Sequence, residues 1–146
     1  MSNSNINYRH LQLKSGNILT IASYVIKYSN SLVIHYGCAV FDKRDKKFVK
    51  KHGNQLAQKR IVSSDITLVI YPDQEYTKID HSLISLRIVD HILEIFDNFK
   101  NNIENYPCYF KQLARSTTIK SDLEQLQERL KDKILLKTIY YLNNSN

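Results

Sequence analysis

The run LVIHYGCAVF, residues 32–41, limits the fold more than any other segment, because it carries no formal charge and is almost entirely apolar or aromatic. Its short length and many β-branched and aromatic residues predict a strand. Successive strand side chains point to opposite faces, so this strand must be covered on both faces and must lie inside a sheet. Gly37 within the run predicts a bulge or a close approach of another group to the backbone.

Three more segments have strand character. Residues 8–13 and 18–28 are rich in β-branched and aromatic residues, and the turn residues KSGN (14–17) separate them. With residues 32–41 they predict an antiparallel meander of three strands. A fourth strand, ITLVIY (66–71), is expected to stop at Pro72.

The second half of the chain has helical periodicity. Apolar residues recur at intervals of three and four up to about Lys100, and Asp80 or Ser82 can cap that helix. A capping box at SDLE (121–124) predicts a last helix that ends near Leu142.

Residues 43–60 predict a further helix, although Gly53 could end it early, at His52. Its apolar residues are expected to pack on the sheet, with its polar residues on the opposite side. The apolar set is Phe48, Val49, Leu56, Ala57 and Ile61, and the polar set is Lys47, Lys50, Lys51, Asn54 and Gln58.

These elements predict one α+β domain over residues 1–146, with frayed ends at about 1–6 and 143–146. We expect a mostly antiparallel four-stranded sheet with a basic helix between strands 3 and 4. Two C-terminal helices follow, and the helices are expected to cover one face of the sheet.

The charge of the chain is concentrated in residues 43–60, KRDKKFVKKHGNQLAQKR. This segment holds eight of the 21 Lys and Arg residues and one carboxylate, Asp45, so it accounts for the whole net charge of +7. Such a segment favours a polyanionic partner, because each neutralised phosphate also releases a counterion. The ordinary alternative is a lysine-rich surface that keeps the protein soluble. The predicted binding residues are Lys43, Arg44, Lys46, Lys47, Lys50, Lys51, Asn54, Gln58, Lys59 and Arg60.

The expected partner is DNA or RNA, or else an acidic surface or the nucleic-acid channel of a protein complex. Tyr24, Tyr28 and Tyr36 would stack bases where they face outward. No helix-turn-helix, RNP or KH pattern accompanies the basic segment, so we expect non-specific phosphate contacts.

Catalytic and cofactor signatures are missing from the sequence, which has no Gly-rich phosphate loop, no GxSxG and no HExxH. We therefore expect a non-enzymatic protein with no cofactor and no metal site. His91 and Glu94 are three residues apart on a helix, a metal-ligand spacing, but the pair is expected on a charged exterior. A metal-dependent nuclease built on Asp42, Asp65 or His35 is the third hypothesis.

A protein-protein adaptor is the second hypothesis. Leu123, Leu126, Leu130 and Ile134 recur at intervals of three and four on the last helix. The stripe would face a partner or, in a homodimer, a second copy of the chain. Ordinary core packing explains the same spacing and is the favoured interpretation.

The compartment is expected to be the cytoplasm. Cys38 and Cys108 belong to no CxxC or Cys/His cluster, and the start MSNSNINYRH has no apolar signal region. No apolar run approaches the ~20 residues needed to cross a bilayer, so no membrane association is expected.

The run YGCAVFDKRDKKFVKKHGNQLAQKRI, Tyr36 to Ile61, resembles a pattern in small uncharacterised proteins of phages and other mobile elements. The pattern is an apolar strand, an acidic-basic turn and a lysine-rich helix that closes with a basic pair. The resemblance implies an accessory protein that engages nucleic acid or a host nucleic-acid enzyme, and anti-restriction or anti-CRISPR inhibitors are within that range.

Overall fold

A computed structural model describes residues 5–28, 31–42, 44, 47–69, 81–102 and 118–144. The elements in chain order are β1 (Asn7–Gln12), β2 (Ile18–Lys27), β3 (Ser31–Phe41), α1 (Lys50–Lys59), β4 (Val62–Val69), α2 (His81–Asn102) and α3 (Ile119–Asn144). The α+β class is confirmed, and α1 is the predicted basic helix. It continues through Gly53 and does not end at His52.

The strands form one sheet in the order β1-β2-β3-β4, and every neighbouring pair is antiparallel. Strand β3 therefore lies inside the sheet, as its uncharged sequence predicts. Strand β4 begins at Val62, earlier than the predicted Ile66, while the predicted end at Tyr71 lies outside the described residues. The register between β3 and β4 shifts between Ile34 and Tyr36, where pairing changes from Ile66 to Val62. This irregularity takes in the polar residues 63–65, whose composition does not favour a strand.

The helices cover both faces of the sheet, so the prediction that they cover one face is wrong. On one face, Ile34, Tyr36 and Cys38 of β3 join the buried cluster formed with α2 and α3. On the other face, Ala39 of β3 belongs to a small buried cluster with Ala57 of α1. A central strand without charge on either side needs cover on both, and α1 supplies the second layer.

Helix α3 begins before the predicted capping box. The Asp122 N–H donates to the Thr118 carbonyl at 2.9 Å, so Ser121 lies within the helix and is not its cap. The Asp122 side chain is buried and accepts from the Ser15 N–H at 3.2 Å and from the Ser15 hydroxyl at 2.6 Å. Asp122 thus joins the β1–β2 turn to α3.

The leucine stripe of α3 packs in the core, which is the interpretation that the sequence favoured. Leu123, Leu126 and Leu130 are buried, and Ile134 packs against the same cluster. These side chains are therefore not available to a partner, and the leucine stripe is not the binding surface that the adaptor hypothesis required.

Some residues within the ends that were predicted to fray are described by the structure. Ile6 packs against the small cluster, and α3 continues to Asn144. None of the helices described is both long enough and apolar enough to cross a membrane.

Candidate polyanion interface

Helix α1 lies unusually close to β3, because both elements present small residues where they meet. A Cβ atom built on Gly37 would lie 2.2 Å from the Ala57 carbonyl oxygen and 2.5 Å from the Arg60 carbonyl carbon. Ala57 and Ala39 are buried beside this contact. The predicted close approach at Gly37 is confirmed, and it fixes the height and rotation of α1 above the sheet.

One flank of α1 is hydrogen-bonded to β1. The Tyr8 hydroxyl donates to Gln58 Oε1 at 2.6 Å, and His10 Nε2 donates to Asn54 Oδ1 at 2.8 Å. The prediction that Asn54 and Gln58 point away from the sheet is therefore wrong. The side-chain oxygens of both amides hold the helix in place and are engaged before any ligand arrives.

Both of the predicted arginine ligands are also engaged within the protein. Arg60 is half-buried, and its Nη1 donates to the Cys38 carbonyl at 3.1 Å. Arg44 pairs with Asp42, with an Nη2 to Oδ2 distance of 2.7 Å. The side chain of Arg44 is 84% exposed, so its ion pair with Asp42 adds little to the stability of the fold. The Asp42 carboxylate nevertheless compensates the positive charge of Arg44.

Four predicted lysines remain exposed on or beside α1, and we call them the lysine face: Lys47, Lys50, Lys51 and Lys59. Within the part of the chain that the structure describes, no carboxylate lies within 4.0 Å of their ammonium groups. Lys43 and Lys46 lie outside the described residues. The lysine face is thus a cluster of uncompensated positive charge.

The outer ridge of α1 holds the lysine face together. Lys51, Gln55 and Lys59 follow one another at intervals of four, so they align on the side away from the sheet, and all three are exposed. From Lys51 to Lys59 the helix rises about 12 Å, which spans roughly three to four phosphates of one B-DNA strand at 3.4 Å each.

The start of α1 adds to the positive potential. Its N-cap is Val49, which makes no capping hydrogen bond, and its first turn contains no acidic residue. Lys47, Lys50 and Lys51 therefore lie at the positive end of the helix dipole, where cations are unfavourable and an anion is stabilised. A bound phosphate would interact favourably with the positive end of the helix dipole, and it would reduce the mutual repulsion of the lysines.

The predicted apolar side of α1 is partly wrong. Val49 and Leu56 are 42% and 43% exposed, while Gly53 and Ala57 face the sheet. Close contact with Gly37 requires small residues under the helix, and this requirement rotates the larger apolar residues outward. Hydrophobic periodicity cannot detect such an interface, because glycine and alanine contribute little to it.

Burial lowers the pKa of His10, and the nearby charge of Lys50 lowers it further. The unfolded chain, with a histidine pKa of about 6.5, therefore binds more protons than the folded protein below that pH. Stability from neutral His10 is present above about pH 6.5 and falls as the pH drops toward the lower folded pKa. We expect His10→Gln to show a shallower loss of unfolding free energy between about pH 7.5 and 5.5 in urea titrations.

Two neighbouring substitutions separate the causes of this effect. Lys50→Ala should also flatten the pH dependence, because it removes the second cause, and Lys51→Ala is the matched control that should leave it unchanged. A His10→Gln protein whose stability follows the wild-type pH profile would contradict the assignment.

The residues of the nuclease hypothesis do not form a metal site in the described part of the chain. Nowhere among the described residues do three His, Cys, Asp or Glu side chains come close enough to hold a metal ion. Asp42 pairs with Arg44, and the His35 ring stacks on Tyr24 with centroids 4.9 Å apart. The side chain of Asp65 lies outside the described atoms.

His91 differs from its predicted position, and the residue that holds it is Tyr36. Tyr36 is fully buried, so it cannot stack a base, and its hydroxyl hydrogen-bonds His91 Nδ1 at 2.7 Å. His91 is therefore held by the core and does not belong to the charged exterior. The signal that could have found this pair is the need of a buried tyrosine hydroxyl for a partner.

Comparison with known proteins gives no relative: no family model, no curated protein and no solved structure matches this chain. The geometry of α1 and of the sheet beneath it is therefore the basis for inferring a function.

Proposed function

We propose that this protein is a non-enzymatic nucleic-acid-binding protein that contacts phosphates through its lysine face. The observation that carries the proposal is the set of four exposed lysines on or beside one helix, with no carboxylate within 4.0 Å among the described residues. Charge that is not neutralised within the protein is available for a polyanion.

The composition of the lysine face favours phosphates over bases. Asn54, Gln58 and Arg60, the residues best suited to read base edges, are hydrogen-bonded within the protein. The outer ridge retains lysines and Gln55. Lysine ammonium groups contact phosphate oxygens, which are the same in every sequence. Binding should therefore be independent of sequence.

The attachment of α1 also supports binding. The hydrogen bonds to β1 and the contact at Gly37 hold the helix before a ligand arrives. A fixed surface loses less conformational entropy on association than a mobile one. The lysine side chains still lose conformational entropy when a ligand orders them, which is consistent with a modest, salt-sensitive affinity.

An acidic channel of a nucleic-acid enzyme would be recognised by the same charges. An accessory or anti-defence inhibitor, the role implied by the resemblance to small uncharacterised phage proteins, would act in this way. Direct binding to DNA or RNA is the simpler proposal, because phosphate alone satisfies the lysine face. A protein that binds no free nucleic acid but inhibits a nucleic-acid enzyme would favour the channel instead.

Fluorescence anisotropy with short DNA and RNA oligonucleotides of random sequence tests the proposal. With about four phosphate contacts, the association constant should fall roughly 50- to 150-fold between 50 and 200 mM salt, and different sequences should bind alike. No binding at about 50 mM salt would overturn the proposal. Cleavage of the probe on addition of Mg²⁺ or Mn²⁺ would favour the nuclease hypothesis.

A further inference from the structure

The face of the sheet that carries α1 continues beyond the end of the helix. Ala22 and Gly37 pair across β2 and β3 beneath the end of α1, and the next pairs on the same face are Tyr24 with His35 and Ile26 with Val33. We call these last four residues, together with Tyr28 just after β2, the aromatic end. It lies beside the end of the outer ridge that bears Lys59.

The aromatic end is only partly covered by the described residues. Tyr28 is 56% exposed and Ile26 is 37% exposed. Tyr24, His35 and Val33 are half-buried. Apolar and aromatic surface of this kind, adjacent to a cluster of positive charge, needs an explanation other than core packing.

Two aromatic rings of this region are already arranged for stacking. The Tyr24 and His35 rings lie 4.9 Å apart at an interplanar angle of 22°. A stacked pair held by neighbouring strands is a rigid platform, so a further ring can stack on it with little loss of side-chain entropy.

The edge of β2 changes at the same place. Pairing with β1 ends at Asn7 and Ser23, so over the described residues β2 from Tyr24 onward has a strand neighbour on one side, β3. Alternate backbone N–H and C=O groups of this stretch are directed toward the open side. They are suited to hydrogen-bond the exposed edges of bases.

We propose that the protein prefers single-stranded nucleic acid, with phosphates on the lysine face and bases stacked on Tyr24 and Tyr28. This inference rests on the proposed function. In a duplex the base faces are stacked inside, so the aromatic end could not reach them, whereas a single strand offers every base for stacking. Stacking tolerates any base, which agrees with an outer ridge of α1 that is rich in lysine, since lysine ammonium groups contact phosphate oxygens.

The arrangement of the lysine face and the aromatic end allows one strand to place its phosphates on the first and its bases on the second. Helix α1 packs on the same face of the sheet as the aromatic end, so a nucleic-acid strand that follows its outer ridge can direct its bases toward the part of that face left uncovered by the described residues. The distance along β2 from Ala22 to Ile26 is about 13 Å. A single strand bound along this path would therefore contact the lysine face and then the aromatic end.

A tryptophan at position 28 reports stacking directly, because the natural chain contains no tryptophan. In Tyr28→Trp, a saturating single-stranded oligo(dT) or oligo(U) should quench the emission by about half, as a base stacks on the indole. The duplex form and inorganic polyphosphate should leave the emission unchanged. Leu135→Trp is the matched control, since Leu135 is 58% exposed on α3, and its emission should not respond.

A second variant measures affinity without an introduced probe. Tyr28→Ala changes an exposed residue, so the fold should persist, and circular dichroism checks that it does. Its affinity for a single strand should fall roughly tenfold, the effect of about one stacked base, with no change for the duplex. Comparing oligo(dT) with oligo(U) shows which sugar is favoured.

The outcomes separate this inference from the proposed function. Equal affinity for single and double strands, with unchanged indole emission from the Tyr28→Trp variant, would overturn the preference for single strands and leave phosphate binding by α1 standing. Failure to bind any of the probes at low salt would overturn both proposals.

Discussion

Replacing Gly37 with alanine is expected to lower the free energy of unfolding by about 3 kcal/mol, the upper end of the usual cost of overpacking. The new Cβ atom would lie 2.2 Å from the Ala57 carbonyl oxygen and 2.5 Å from the Ile61 nitrogen. Both are backbone atoms, so no side-chain rotation can relieve the overlap. Helix α1 must move away from β3, and its lysines would move with it. Urea denaturation followed by circular dichroism measures the loss.

Gly53→Ala is the matched control for this prediction. Its Cβ atom would lie 2.9 Å from Thr20 Oγ1, a milder overlap than at Gly37 and with no backbone atom among the nearest neighbours, and alanine is favoured over glycine in a helix by about 1 kcal/mol. Its stability should therefore stay within about 1 kcal/mol of the wild-type protein. Equal effects of the two substitutions would contradict the close approach at Gly37.

Replacing all four residues of the lysine face with alanine is expected to weaken nucleic-acid binding at least about 100-fold at low salt, because about four phosphate contacts are lost. These residues are Lys47, Lys50, Lys51 and Lys59, and all are exposed. Their removal should leave the fold intact, since exposed substitutions usually change stability by less than about 0.5 kcal/mol. Anisotropy titration of one DNA and one RNA oligonucleotide gives the change in affinity.

A second quadruple variant removes the same amount of charge elsewhere. It replaces Lys14, Lys120, Lys131 and Lys133, which are exposed in the β1–β2 turn and on α3. If net charge alone attracts the polyanion, both variants should weaken binding equally. If α1 is the interface, the second variant should bind within a few-fold of the wild-type protein. Equal losses would remove the argument for α1.

Much of the fold could be predicted from local sequence. Three of the four strands begin or end within one or two residues of their predicted bounds, because β-branched runs and turn residues mark them. The start of β4 could not be predicted, since Ser63 and Asp65 have low strand propensity and lie where the register with β3 shifts, between Val62 and Ile66. The cover on both faces was implied by the uncharged run in β3, but local periodicity does not say which helix supplies it.

The candidate site was predicted less completely. The exposed lysines of α1 follow from composition alone. The hydrogen bonds of Asn54 and Gln58 to β1 do not, because their partners His10 and Tyr8 lie 44 and 50 residues away in the chain. Helical periodicity also favoured a rotation of α1 that placed Leu56 inward, whereas contact between small residues at Gly37 exposes it.

The most direct test of the central claim is the slope of log association constant against log salt concentration for wild-type protein and for the lysine-face variant. Counterion release predicts a steep negative slope for the wild-type protein and a slope shallower by about three units for the variant. A wild-type slope near zero, or the same slope in both proteins, would contradict the claim that the lysines of α1 bind phosphate.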